Sequence, residues 1–190
     1  MVHVTEENVA IIDSDLLIRE CINASGGDDS FAFVISPFIS DYKIPSSAIS
    51  FTSNAVSISD VDFFTDLIRL LTQEGGDVSI VCRSPRNLSE TGMGPSFVRK
   101  QKRIIIKFQE MNCEVRIEND LHAKATVTST GALYGSFNLT RSGRFYNIET
   151  GSFISKAEEG QREEYMDKLS WARETFDGGE EVEDRHLQID

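Results

Sequence analysis

The apolar positions of the chain switch repeatedly between a helical period and a strand period. Ile11, Asp15, Ile18 and Ile22 share one face of a helix predicted over residues 5–24, which Ser25-Gly26-Gly27 ends. Residues 30–36, Ser-Phe-Ala-Phe-Val-Ile-Ser, form a short run of apolar and β-branched residues that predicts a buried strand stopping at Pro37. A second short strand is expected over 48–53. Ser59 and Asp62 resemble a capping box, and Val61, Phe64, Leu67, Ile68 and Leu71 then repeat at helical spacing up to Gly75-Gly76. Residues 78–82 read as a strand and 84–95 as a loop rich in Pro, Gly, Ser and Asn. Pro95 opens a helix with Phe97, Gln101, Ile104, Phe108 and Met111 on one face. Cys113, Val115 and Ile117 alternate with charged residues, as in a half-buried strand. Residues 122–128 and 132–136 predict a hairpin with Gly131 in its turn, and 147–155 a further strand. The last helix is expected over 157–176, with Tyr165, Leu169, Ala172 and Phe176 inward.

This alternation argues for an α/β fold, a mixed central β-sheet flanked by helices on both faces. The 190 residues suit a single domain over 1–176 followed by a frayed acidic tail over 177–190. An apolar share of 39% with twelve Phe supplies a core and excludes a wholly disordered chain. Cys21, Cys82 and Cys113 are odd in number, far apart and without C-x-x-C spacing, which argues against a disulfide framework or a zinc knuckle. Reduced thiols and an N-terminus without a secretory pattern fit a cytoplasmic protein. No apolar run approaches the length of a membrane span.

The net charge of −12 argues at first against a polyanionic partner. Its distribution changes that picture. Residues 157–190 hold twelve acidic and four basic side chains, a net of −8, whereas residues 83–107 hold seven basic side chains and one acid, a net of +6. Arg99, Lys100, Lys102 and Arg103 form the centre of this basic zone and are candidates for binding a phosphate-bearing substrate. The excess of Arg over Lys, 12 to 7, on so acidic a chain resembles proteins adapted to high intracellular salt.

Of the three histidines, His3 and His186 lie near the termini and are expected to be solvated. His122 is internal and begins a run containing Lys124, Gly135, Ser136 and Asn138. On a strand, residues two apart point the same way, so His122 and Lys124 share a face, as do Ser136 and Asn138, and Asn147 and Glu149. An imidazole, an ammonium, a hydroxyl, an amide and a carboxylate at one end of a sheet suit a phosphoryl group. Ala125 and Val127 take the opposite face, toward the core.

This run resembles the HKD motif of the phospholipase D superfamily, H-x-K-x(4)-D followed by G-S-x-N. His122, Lys124, Gly135, Ser136 and Asn138 match it, and Asn147-Ile-Glu149 resembles the N-x-E segment downstream. Ile35-Ser-Pro-Phe-Ile39 is similar to the strand and loop that open the domain. Ser129 stands at the motif Asp, and the spacer to Gly135 is one residue short, consistent with a tighter turn at Thr130-Gly131. The resemblance implies a phospholipase D-like fold and a phosphodiesterase that needs no cofactor and no metal. His122 would attack phosphorus and form a phosphohistidine. Lys124, Asn138 and Ser136 would hold phosphate oxygens, and Glu149 would orient the imidazole. Such enzymes use two motifs and this chain has one, so a homodimer with His122 of both copies across the axis is implied. The expected substrate is DNA or RNA; nothing here resembles an interfacial apolar helix suited to lipid. A degenerate module that binds nucleic acid or a partner protein without turnover is the alternative, and Ser129 favours it.

Overall fold

The computed structural model describes residues 2–4, 6–44, 61–140 and 150–189, with side chains from residue 11 onward. The strand expected over 48–53, the cap at Ser59, and Asn147 and Glu149 lie outside the described residues.

The strands are β1 (Val2–Val4), β2 (Phe31–Ile35), β3 (Asp77–Cys82), β4 (Glu114–Ile117), β5 (Ala125–Thr128), β6 (Gly131–Gly135), β7 (Gly151–Ser155) and the two-residue β8 (Glu180–Glu181). They form one mixed sheet in the order β1-β7-β6-β5-β2-β3-β4-β8. β2, β3 and β4 run parallel. β5 lies antiparallel beside β2, and β6 and β7 continue the antiparallel half. The helices are α1 (Glu6–Ser25), α2 (Phe64–Gln73), α3 (Pro85–Glu90), α4 (Pro95–Glu110), α5 (Arg162–Asp177) and α6 (Asp184–Leu187). α1, α2 and α4 cover one face, packing Leu17, Cys21, Phe64, Leu67, Ile105 and Phe108 on Ala32, Val34, Ile80 and Val115. Among the described residues α5 alone covers the other, setting Tyr165, Leu169, Ala172 and Phe176 on Val81, Ala125, Val127 and Ile154. The mixed α/β architecture and the inward face of α5 agree with the pattern of the sequence.

Several local expectations are corrected. The cap of α2 is built on Phe63, with the carboxylate of Asp66 accepting from Phe63 N at 3.0 Å and Asp62 N at 3.3 Å. Residues 85–90 are helical, not loop, because Pro85 sits in the first turn and Ser84 Oγ accepts from Asn87 N at 3.0 Å. The inward face of α1 is rotated from the expected one. Asp13, Leu17, Glu20 and Cys21 are fully buried, whereas Ile11, Asp15 and Ile22 are only half covered. Its two buried carboxylates are held by donors from the sheet side. Tyr42 Oη donates to Asp13 Oδ2 at 2.6 Å, and Thr126 Oγ1 donates to Asp13 Oδ1. Thr130 Oγ1 reaches Glu20 Oε1 at 3.0 Å, and Phe31 N reaches Glu20 Oε2 at 3.3 Å. Such hydrogen bonding offsets the cost of taking a carboxylate out of water.

The segment beyond residue 176 is not frayed. β8 pairs with β4 (Arg116 with Glu181, Ile117 with Glu180), and Val182 and Leu187 pack against the larger core. His186 is buried rather than solvated. Its Nδ1 accepts from Glu183 N at 3.0 Å and its Nε2 meets Glu180 at 3.2 Å. Apolar Val182 and Leu187 outweigh the acidic composition that suggested a tail.

Burial pushes the thiols of Cys21, Cys82 and Cys113 up to about 12. At pH 8 all three should resist an aromatic disulfide reagent in the native protein and react after unfolding in urea. The unfolded chain releases these protons first, near pH ~8.5, so their contribution is complete below that pH and declines as pH rises toward 12. Urea midpoints should therefore fall between pH 8 and pH 10.5. Rapid labelling of the folded chain at pH 8 would contradict this burial.

Candidate active site

The sheet topology places His122, Lys124, Ser136 and Asn138 at one edge. β2, β3 and β4 end there, and β5 begins there because it is antiparallel to β2, with Ala125 opposite Ile35. β6 ends there, with Tyr134 opposite Ala125, and β7 begins there, with Gly151 opposite Gly135. Ligands of open α/β sheets bind at such carboxyl edges, where strand order reverses. Here the reversal falls at β2, flanked by parallel β3 and antiparallel β5.

Buried hydrogen bonds lock the loops of this edge together. Ser36 Oγ donates to Phe38 O at 2.7 Å and accepts from Leu139 N at 2.9 Å. Ser40 N donates to Leu139 O at 2.8 Å, and Arg83 N to Pro37 O at 3.3 Å. Gln101 on α4 is fully buried. Its Oε1 accepts from Ile39 N at 2.9 Å, and its Nε2 donates to Arg83 O at 3.3 Å and Pro37 O at 3.4 Å. One amide thus ties the helix to the loops after β2 and β3.

His122 is exposed and precedes β5. Residues 122–124 are not in the hairpin, so strand alternation does not set their directions. Instead Lys124 turns back, and its Nζ donates to His122 O at 2.7 Å. The Lys124 carbonyl accepts from Gly135 N at 3.1 Å, which joins the His-Lys segment to the end of β6. Ser136 closes the β6–β7 junction: its Oγ accepts from Thr150 N at 3.0 Å and its N donates to Thr150 O at 2.9 Å. Asn138 makes no side-chain hydrogen bond among the described residues, and its Oδ1 is buried without a partner. A buried polar atom in that condition calls for an explanation.

Arg83 was counted in the sequence only as charge. Immediately after β3, its Nε donates to Leu121 O at 3.0 Å and its Nη2 meets His122 Nε2 at 3.1 Å. The signal that could have found it is position: the residue just past a parallel strand at the sheet's reversal point.

The other described candidates lie outside this network. Arg99, Lys100 and Arg103 are exposed on α4 and Lys102 is half-buried. Lys100 and Arg103 line a cleft of about 420 Å³ with Ser40, Asp41, Ile104 and Lys107. Its lining does not include His122. Lys107 is engaged by Asp41 at 3.4 Å and by Thr65. Ser129 lies in the two-residue turn between β5 and β6, at the far end of β5 from His122. The turn is Ser129-Thr130, and Gly131 is the first residue of β6. Glycine stands at 131 because a Cβ there would lie 2.6 Å from Ile154 O, not because the turn needs it. Among the described residues no helix is long and apolar enough to cross a membrane.

Residues 43–170 match the profile of the family described as "Cardiolipin synthase, PLD-like domain". No curated protein sequence matches the chain. Among solved structures, it is similar to Nuc, a phospholipase D family member from Salmonella typhimurium, at 13% identity and a TM-score of 0.55, over 85% of this chain and 88% of that one. NucT from Helicobacter pylori gives 12% identity and a TM-score of 0.57, over 95% of this chain and 98% of that one. TrmBL2, described as an archaeal chromatin protein with a novel mode of DNA binding, gives 14% identity and a TM-score of 0.53, over 95% of this chain and 53% of that one. At these identities the likeness establishes the fold.

Gly135 has a packing reason of its own. A Cβ there would lie 2.2 Å from Thr150 O and 2.7 Å from the Phe137 ring, and neither backbone nor buried ring can give way cheaply. Gly135→Ala should destabilise the fold by about 1–3 kcal/mol, the usual range for overpacking, measured by urea denaturation. Unchanged stability would show that the β6–β7 junction is more open than described.

Proposed function

The chain belongs to the PLD-like domain family, and from that premise we propose that it is a metal-independent phosphodiesterase, a nuclease hydrolysing DNA or RNA. The observation that supports the reading is that exposed His122 and half-buried Lys124 precede β5, and half-buried Asn138 follows β6, at the same edge of the sheet, with Asn138 Oδ1 buried and without a partner. Nuc and NucT, which share the fold over nearly their whole lengths, support it.

In this reading the Nε2 lone pair of His122 attacks phosphorus. The bond from phosphorus to the leaving oxygen breaks, and that oxygen takes a proton from a second imidazole. A water then attacks the phosphohistidine, giving its proton to the now neutral second imidazole, and releases the other product. Lys124 and Asn138 meet the non-bridging oxygens as charge builds on them. Glu149 is proposed to orient the ring. Ser136 is proposed to support the phosphate from the β6–β7 junction, and Arg99, Lys100, Lys102 and Arg103 to receive the flanking phosphates. The second imidazole comes from His122 of another copy, in a two-fold homodimer. The exposure of His122 suits that role.

A second reading, binding of nucleic acid without turnover, is favoured by Ser129 and by the likeness to TrmBL2. Cleavage of labelled single- and double-stranded DNA and RNA in excess EDTA separates the two. The nuclease reading expects cleavage that survives EDTA and is lost at least 10³-fold in His122→Ala, as for a nucleophile (~4 kcal/mol). Strict metal dependence, or retention without cleavage of any substrate, would sink it. Mixing wild type with His122→Ala under subunit exchange tests the dimer. Activity should fall with the square of the wild-type fraction, and a linear fall would rule out shared sites.

A further inference from the structure

Arg83 is the cation that the described residues place against the imidazole of His122, and the H-x-K and G-S-x-N positions do not account for it. Its guanidinium is gripped from three sides. Nε donates to Leu121 O at 3.0 Å, Nη2 meets His122 Nε2 at 3.1 Å, and the group stands 5.9 Å from the centre of the Phe38 ring, a cation–π distance. Its backbone is also fixed, by Pro37 O and by the buried Gln101 amide. A side chain held this way aims one edge at the ring instead of sampling solvent.

A guanidinium only donates, so His122 Nε2 must accept. The ring proton therefore sits on Nδ1, the tautomer that a nucleophilic Nε2 requires. The same hydrogen bond, however, covers the lone pair that would attack. Three of the five guanidinium N–H groups make no hydrogen bond among the described residues.

We propose that Arg83 is an oxyanion-operated cover on His122: it holds the imidazole in the Nδ1–H tautomer with Nε2 covered, and a phosphate oxygen takes over the Nη2–H hydrogen bond and exposes the lone pair. The guanidinium is charged in both pairings, but a phosphate oxyanion adds a full opposite charge that a neutral imidazole lacks and can accept two parallel N–H bonds. The exchange therefore favours phosphate, and the uncommitted N–H groups allow a forked grip. No bond to Arg83 forms or breaks, and the guanidinium stays protonated throughout. Combined with the phosphodiesterase reading, on which only this last step rests, the exchange releases the nucleophile when the phosphodiester is in place and leaves Arg83 on a non-bridging oxygen.

The test is imidazole ¹⁵N NMR of the full chain, wild type and Arg83→Met, with His122→Asn assigning the signals and inorganic phosphate as the probe. In wild type, Nε2 of His122 should give the signal of an acceptor nitrogen. In Arg83→Met the Nε2 signal should move away from that of a nitrogen accepting a hydrogen bond from a cation, whichever tautomer the ring keeps, and phosphate affinity should fall about tenfold or more, the equivalent of one charge-assisted hydrogen bond. Circular dichroism confirms that the variant is folded; if it is not, Arg83→Lys, whose ammonium still only donates but cannot fork, carries the phosphate readout. A residue that only braces the loop would leave the Nε2 signal and the phosphate response as in wild type, and that result overturns the proposal. Hydrolysis is scored separately. An unchanged Nε2 signal in an active enzyme rejects the Arg83 proposal alone. The expected Nε2 signal and phosphate response in a protein that cleaves nothing rejects the phosphodiesterase reading alone.

Discussion

The pairing of β2, parallel to β3 on one side and antiparallel to β5 on the other, is the constraint on which the rest of the molecule depends. It reverses strand direction in the middle of the sheet and so brings the ends of β2, β3, β4 and β6 and the beginnings of β5 and β7 to one edge. A loop edge of this kind leaves backbone N–H and C=O groups without ladder partners, and buried ones must be satisfied. Ser36 and Gln101 do this, the first between the β2 loop and Leu139, the second between α4 and the loops after β2 and β3. The same bonds that satisfy the backbone hold Arg83 and the segment around Asn138 in place. Structural accounting and site geometry are here one network.

The hairpin that follows His122 is fixed from both faces by different chemistry. Ala125 and Val127 pack beneath α5. Thr126 and Thr130 donate to the buried carboxylates of α1, Thr126 to Asp13 and Thr130 to Glu20. Tyr165 Oη donates to Thr128 O at 2.8 Å from the opposite side. A hairpin clamped at its turn and along both faces cannot slip register, since a one-residue slip would set threonines against α5 and alanine against the carboxylates. Its free end, carrying His122, is thereby held at the sheet edge without being buried.

The fold brings the acidic and basic zones closer together than they lie along the chain. The basic residues of α4 lie on the exposed flank of a helix whose buried Gln101 ties it to the candidate site. The acidic C-terminal segment runs along the β4 margin of the sheet as β8 and α6, with α6 packed on α3 beside α4, and there Arg116 meets Glu181 at 3.1 Å and Arg185 meets Glu180 at 2.9 Å. These exposed pairs contribute little stability. The segment is kept in place by Val182, Leu187 and buried His186.

Periodicity alone was enough for the α/β class, most element positions and the inward face of α5, because an amphipathic helix on a sheet writes its burial directly into residue spacing. Spacing also brought out His122, Lys124, Ser136 and Asn138, since a local motif lies within one stretch of chain. What spacing misjudged were polar residues that tertiary contacts bury: Asp13 and Glu20 on α1 and His186 at the end of the chain. Each is inside because a donor or acceptor from a distant strand or loop meets it, or in the case of His186 because neighbouring apolar residues dock. Arg83 is the clearest instance. Its place just past β3 is the one local mark it carries, and only the adjacency of β3's end to the segment before β5, 39 positions along the chain, sets its guanidinium on His122. The sequence by itself determined which groups could do chemistry; the tertiary structure decided which of them meet, because the pairing that joins them is non-local.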